Sequence, residues 1–367
     1  MQTRVKRRST ARRAIAATAA VGAVAAATVA SVQLASAGEA DADAVARQTC
    51  ALDALPIPEG YQSTSVTGMS DDGSVIAYLA ESPDEEGPGP RQLLYAGGEV
   101  TEAPMLNDYA TLQDVNADGV GVGWTFMSGY VPYVWRDGEL TELPTEEGGS
   151  AYAINAKGDI VGSRESDGTY IPVVWPADGS GPVDLALPEG NELGSATDIG
   201  DDGTIVGYVK VEGDNSGDPK PYVWHADGTG DYLAMPEGVD LADAAAEVTD
   251  IKGGWASGWL SAPGAAYGGV RWNLAEGTAE TVELGDWVAV SAEGVVAGHL
   301  RGSPIAAYQS GETLVELPGL IDPADNTSGD NVVAISADGS LLAGDVSTGA
   351  YDADEQPLTN AVTWTCE

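Results

Sequence analysis

Histidine, cysteine and positive charge are all scarce in this chain of 367 residues. It has two histidines (His225 and His299), two cysteines (Cys50 and Cys366), and 16 Lys and Arg against 57 Asp and Glu. That leaves no cysteine cluster and no His-Glu-x-x-His helix to hold a metal, and no Gly-rich phosphate loop opens a helix. Six of the basic residues, Arg4, Lys6, Arg7, Arg8, Arg12 and Arg13, are confined to the extreme N-terminus. Without them the chain carries 10 basic residues against 57 acidic ones, a net charge near −47. Nucleic acid and anionic lipid both need a basic surface and are excluded as partners. The acidity itself reads as solubility or tolerance of salt.

Long apolar runs are missing too, with one exception. Behind the basic start, an Ala/Val-rich stretch from Ala14 to Leu34 ends at Ala35-Ser36-Ala37, a small-residue cleavage site before Gly38. Residues 1–37 therefore read as an export signal cleaved after Ala37, not a retained anchor. The paired arginines fit the twin-arginine pattern poorly, so general secretion is expected. Residues 38–49 read as a flexible leader and 50–367 as one extracellular, monomeric domain with no membrane span.

The chain is rich in one repeated pattern, written seven times at a period of roughly 45 residues. An inner segment such as Ala151-Tyr152-Ala153-Ile154-Asn155 leads to a turn such as Ala156-Lys157-Gly158 or Asp201-Asp202-Gly203. An apolar run ending in a small residue follows, for example Thr204-Ile205-Val206-Gly207. A third segment ends on an aromatic, as in Pro221-Tyr222-Val223-Trp224, and a fourth resembles Leu140-Thr141-Glu142-Leu143-Pro144. Gly in tight turns between apolar runs signals hairpins, because it supplies the positive φ such turns need. Each copy is thus four short strands that cannot bury both faces alone, and a ring of copies can. The third-strand aromatics, Tyr95, Trp135, Trp175, Trp224, Trp272, Tyr308 and Trp364, count seven blades and are expected to pack between them. Six or eight blades would require a miscounted copy, and the fifth, around Val248–Leu284, is the loosest.

The last copy stops one strand short, at Trp364-Thr365-Cys366-Glu367. The missing strand matches Cys50-Ala51-Leu52-Asp53-Ala54-Leu55-Pro56 at the other end. Superposed on the second copy, Cys366 falls on Asp137 and Cys50 on Gly138, the turn joining strands three and four. The expectation is an all-β, seven-bladed propeller of four-stranded blades. Its N-terminal strand closes the ring, and a Cys50–Cys366 disulfide, usual in an exported protein, stands in for the turn. Closing so long a loop is worth about 5 kcal/mol in the chain-entropy account.

The unit resembles the HAF family of extracellular repeat proteins. Ile154-Asn155-Ala156-Lys157-Gly158-Asp159-Ile160-Val161-Gly162 follows that family's pattern, and the similarity covers about residues 60–367. At the His-Ala-Phe that names the family, this chain has Val131-Pro132-Tyr133 and Lys220-Pro221-Tyr222 instead. The resemblance implies a secreted, propeller-like fold and brings no established catalytic residues.

Candidate chemistry is sparse. His225 follows Trp224 in a turn, and neither histidine lies in a nucleophile motif, although a Ser-His-Asp site assembled from distant residues stays open. The Asp-Gly turns raise the question of calcium, but they lack the ligand spacing and distal bidentate Glu of a calcium loop. Asp stabilises such turns through local hydrogen bonds. Asp114, Asp198 and Asp250 recur just before the first turn where other copies have Ala or Gly68, which fits capping. No cofactor is expected, with calcium left open. Asn326-Thr327-Ser328 is a short match to a glycosylation acceptor.

One register diverges between copies, the position after the Val-Gly step: Tyr78, Trp124, Ser163, Tyr208, Trp259, His299 and Asp345. Packing does not dictate a residue that varies at a fixed position. In a four-stranded blade it would face the side bearing the variable loops between strands two and three. Aromatics beside carboxylates suit a glycan or a peptide, so Tyr78, Trp124, Tyr208, Trp259, His299 and Asp345 are the candidate ligand-binding residues. The expected function is a secreted, non-catalytic scaffold that binds an extracellular glycan or protein. The alternative is an extracellular polysaccharide hydrolase or lyase with paired carboxylates at the channel mouth, and a purely structural matrix protein is a third reading.

Overall fold

A computed structural model describes residues 50–82, 88–126, 129–210, 218–264, 267–285, 287–326 and 328–366. The export signal and leader expected at 1–49 lie outside the described residues. Residues Gln48–Glu367 form one unit, built from seven antiparallel sheets of four strands in a ring, a seven-bladed propeller. Blade 1 comprises Ser63–Met69, Val75–Glu81, Arg91–Ala96 and Glu99–Ala103 from the centre outward. Blades 2 to 6 repeat this at 111–142, 149–184, 193–232, 245–281 and 289–316. Among the described residues the helical content is a single 3-10 turn, Leu241–Asp243, and no helix is long and apolar enough to cross a membrane.

Blade 7 is made from both ends of the chain. Asn331–Ile335, Leu341–Tyr351 and Pro357–Cys366 are completed by Cys50–Ala54. Trp364 faces Leu52 as Trp135 faces Leu140, so the borrowed strand sits in the register of an ordinary fourth strand. Cys50 and Cys366 are paired and disulfide-bonded at the place where blade 2 has the Asp137–Gly138 turn, with a Cα–Cα distance of 4.1 Å.

The repeated residues have specific work in the packing. The indole N–H groups of Trp175, Trp224, Trp272 and Trp364 each donate to a carbonyl at the outer edge of the preceding blade: Pro144, Ala186, Ala234 and Pro318. Each indole thereby buries its apolar body between two blades while its polar N–H stays satisfied, which is how a buried Trp stabilises most. The Val-Gly step has an equally direct cause. A Cβ on Gly207 would overlap the carbonyl oxygen of Ser195, and Gly123, Gly162, Gly258 and Gly344 meet the same obstacle at Thr111, Ser150, Glu247 and Asn331. In these five blades only glycine lets the second strand lie against the kinked first one.

The kink is a β-bulge in the innermost strand of blades 1 to 5 and 7, where the pairing slips by one residue, as between Leu112 and Asp114 or Val248 and Asp250. Bulges bend a strand and re-aim its side chains. Here they turn residues such as Thr67, Gln113, Tyr152, Thr197 and Thr249 into the central channel.

Candidate active site at the central channel

The innermost strands of all seven blades line a channel of about 610 Å³. Each of these strands starts at the face that carries the loops between strands two and three. Each ends at the Asp-Gly turn on the opposite face. Glu247 and Lys252, near the two ends of Ala245–Lys252, are therefore separated by roughly 15 Å along the strand. The two ends of the channel have different chemistry.

At the turn end, aspartates staple neighbouring blades. Asp114 accepts from its own blade at Val115 N (2.8 Å) and from blade 3 at Ile154 N (2.9 Å). Asp198 does the same with Ile199 N and Ile251 N, each at 2.7 Å. Asp250 accepts from Val290 N of blade 6 at 2.7 Å and from the Lys252 ammonium at 2.8 Å. The same ammonium lies 3.3 Å from Asp71 of blade 1. Burial alone would lower the Lys252 pKa, but Asp250, Asp71 and Asp198 outweigh it and raise it. One cation does not satisfy every carboxyl around it, so burial still pushes Asp71 and Asp198 upward, and Asp114 to about 7. Asp114 and Asp198 therefore cap locally as expected, Asp250 instead holds Lys252, and all three bridge from one blade to the next.

At the loop end the groups are reachable. Glu247 is half-buried and accepts from the Trp259 indole N–H at 3.3 Å. Burial raises its pKa against the opposing pull of that hydrogen bond and of Lys210. Lys210 stands over the Tyr208 ring, 5.0 Å from its centroid. Burial, then Glu247, Tyr152 and Tyr170 nearby, raise the Tyr208 phenol. Tyr152, Ser195, Tyr208, Glu247, Trp287 and Asn331 line the channel here, and Trp287 is 61% exposed. The result, among the described residues lining the cavity, is one carboxyl at this end, its pKa raised by burial, amid ring faces at the mouth.

The residues proposed from the divergent register do not converge on this mouth. Tyr208 lines the channel and Trp259 reaches it through Glu247. Trp124 packs instead against Phe126 and Tyr130, and Ser163 is buried. The His299 ring packs over Gly285. Asp345 accepts from Val66 N of blade 1 at 2.7 Å, and burial lifts its pKa to about 7. Tyr78 does not share the register at all. It pairs with Val66, the position that Gly123 holds opposite Leu112, and its buried hydroxyl donates to the Pro56 carbonyl at 3.0 Å.

The remaining motifs resolve locally. His225 is a turn residue with Asp231 at 3.2 Å. The Asp72, Asp202 and Asp338 side chains accept from their own turns. Asn326 is buried and donates to Asp330 at 2.8 Å, so its amide is engaged within the fold. Among the described residues no group of three or more His, Cys, Asp or Glu side chains is placed to hold a metal ion.

No protein-family model matches the chain, and no curated protein matches its sequence. Similarity to solved structures is distant and establishes the fold. An oligogalacturonate lyase from Vibrio parahaemolyticus is 8% identical, with 86% of this chain and 96% of that one covered and a TM-score of 0.51. Another oligogalacturonate lyase structure, in complex with manganese, is 10% identical, with 87% and 97% covered and a TM-score of 0.50. A puromycin hydrolase is 14% identical, with 78% of this chain but only 51% of that one covered and a TM-score of 0.52. These propellers are enzymes. The expectation of a non-catalytic binding scaffold is corrected on that finding.

Proposed function

We propose that the protein is a secreted enzyme that cleaves an extracellular polysaccharide at the loop end of the channel, with Glu247 as the proton-transferring carboxyl. One observation carries this reading. Glu247 is the carboxyl at the channel mouth, its pKa is raised by burial, and it sits beside Trp259 and Tyr208. Burial that raises a carboxyl's pKa favours its protonated form, the form a proton donor needs. The nearby rings offer flat apolar faces to a sugar. In hydrolysis Glu247 would give its proton to the departing glycosidic oxygen while a water adds to the anomeric carbon and returns a proton to the Glu247 carboxylate. The second carboxyl of the expected pair is not beside it, since the other carboxyls lining the channel lie at the turn end. Asp114 and Asp198 are assigned to holding the ring, since both of their oxygens accept backbone N–H groups.

The disulfide suits an oxidising compartment outside the cytoplasm. The HAF-like repeat is consistent with that setting and rests on its motif alone. The test is to incubate the purified protein with neutral, amino-sugar and uronate polysaccharides while following both new reducing ends and unsaturated ends. Glu247→Gln should lower turnover by about 10²–10⁴-fold with thermal unfolding unchanged. The reading fails if the Gln variant cleaves as well as the native protein, or if no polysaccharide yields either product.

A further inference from the structure

Aromatic side chains continue away from the channel mouth over blades 3 and 2. Tyr170 lies with its ring centroid 6.2 Å from that of Tyr130, and blade 3 also places Tyr152 at the channel. Tyr130 lies 5.5 Å from Trp124, Trp124 lies 6.3 Å from Phe126, and Phe126 lies 5.1 Å from Tyr109. From Tyr170 to Tyr109 each step is ring to ring. Tyr109, Phe126, Tyr130 and Tyr170 are 50%, 51%, 38% and 38% exposed. Scattered exposed apolar residues are ordinary on a soluble protein, but a contiguous row of them marks a recognition surface.

Their positions in the chain reinforce the point. Tyr109 is in the link entering blade 2, Phe126 and Tyr130 are in its loop between strands two and three, and Tyr170 begins Thr169–Trp175 in blade 3. All these segments emerge on the loop face, the face of Glu247. Phe126 is the only phenylalanine in the chain, and it lies half-exposed on this row.

The charge around the row selects among sugars. Glu165 stands near Tyr170, and Glu146 and Glu147 flank the neighbouring Arg164, whose guanidinium is already held by Asp184 at 2.6 Å. With a net charge of −41 on the chain, this surface repels a polyuronate and accepts a neutral or an amino-sugar chain.

We propose that the row from Tyr109 to Tyr170 is a binding track for a neutral or amino-sugar polysaccharide that lies across blades 2 and 3 and feeds the channel at Glu247. This rests on the polysaccharide-cleaving reading for its destination, but not for its binding. The substrate is then a polymer, since a monomer or dimer at Glu247 would never reach Tyr109.

The test is affinity electrophoresis through gels containing soluble β-glucan, chitosan or polygalacturonate, run in the Glu247→Gln background so that the polymer is not consumed. The track predicts retardation by β-glucan or chitosan and none by polygalacturonate. Tyr109→Ala with Phe126→Ala should weaken that retardation by about tenfold. Val183→Ala, exposed on the outer strand of blade 3 and off the row, should not. In the native background the double variant should raise KM for the polymer by about tenfold more than for a trisaccharide of the same sugar. Melting temperatures of all variants exclude unfolding as the cause. Equal effects on polymer and trisaccharide would overturn the track, as would strong retardation by polygalacturonate. So would undiminished retardation in the double variant, or a row that binds a protein partner and no glycan. If the track holds while Glu247→Gln leaves cleavage intact, the cleavage assignment fails alone. If cleavage depends on Glu247 while the double variant is silent, the track fails alone.

Discussion

The same seven strands make both ends of the channel, yet the two ends obey different rules. At the turn end, carboxyls accept backbone N–H groups across blade boundaries and Lys252 lies among them. At the loop end, among the described residues, Glu247 accepts from the Trp259 indole N–H, and Trp287 stands exposed beside the opening. A carboxyl whose oxygens are taken up by backbone groups holds structure together. One left partly unsatisfied at an opening can exchange a proton with something that enters. The comparison teaches that acidity in this chain is not one property, and that hydrogen-bond partners, more than charge, separate the two uses.

That contrast makes stability and activity separable, and substitutions can probe it. The largest effect is expected from Glu247→Gln, where turnover should fall by about 10²–10⁴-fold while the urea midpoint stays in place. Next comes Lys252→Met. It leaves Asp71, Asp198 and Asp250 facing one another without their cation, at a cost of about 3–5 kcal/mol in urea unfolding. The loss should be smaller at pH 5 than at pH 8, because protonation removes the exposed repulsion. If Lys252→Met abolished cleavage without altering stability, the assignment of the two ends would be reversed.

Replacing both cysteines should cost about 2–5 kcal/mol and be indifferent to which end is intact, so its effect on unfolding should add to that of Lys252→Met. The smallest expected change belongs to Asp114→Asn, about 1–3 kcal/mol, since an amide oxygen serves one backbone N–H well and leaves the other short. This last site also sets a pH dependence. Asp114 and Asp345 titrate near 7 in the fold and near 3.9 when unfolded. Both therefore contribute stability that is complete below pH 4 and is lost as pH rises through 7. Native protein should melt higher at pH 5 than at pH 8, and Asp114→Asn should flatten part of that slope.

Much of this architecture is legible in the sequence. The split last repeat predicted the closing strand, its register and the disulfide, because a repeat defines what is missing as clearly as what is present. The aromatic at the end of strand three and the glycine after Val were legible as packing, and the structure supplies their causes: an indole bonded across a blade boundary, and a Cβ that has no room. The site was harder. Tyr78 was placed one residue out of register because six residues, 70–75, separate the paired Met69 and Ile76, whereas five, 116–120, separate Val115 and Gly121. The turns match in sequence while the strands beyond them do not.

Glu247 and Lys252 were missed for a different reason. The divergent register of the sequence runs along strand two, and both residues lie on strand one. The signal was present there. Glu247 occupies the register of Thr111, Ser150, Ser195 and Asn331, and Lys252 that of Ser70, Asn116, Asn155 and Ser336. Both fall in the fifth copy, the one that matched the repeat least well. In a ring of near-identical units, the unit that departs from the pattern is the place to look for chemistry.

The bond between Cys50 and Cys366 also fixes how the molecule carries mechanical load. Its two cysteines lie 316 positions apart in sequence and face each other across one strand pair. A pull on the chain outside the two cysteines passes through the S–S link and never reaches the seven sheets between them. The blades are slack under such tension, whatever force the surroundings apply. Under reducing conditions the same pull would fall on the hydrogen bonds of a single five-residue strand, Cys50–Ala54, and blade 7 would be the first to peel.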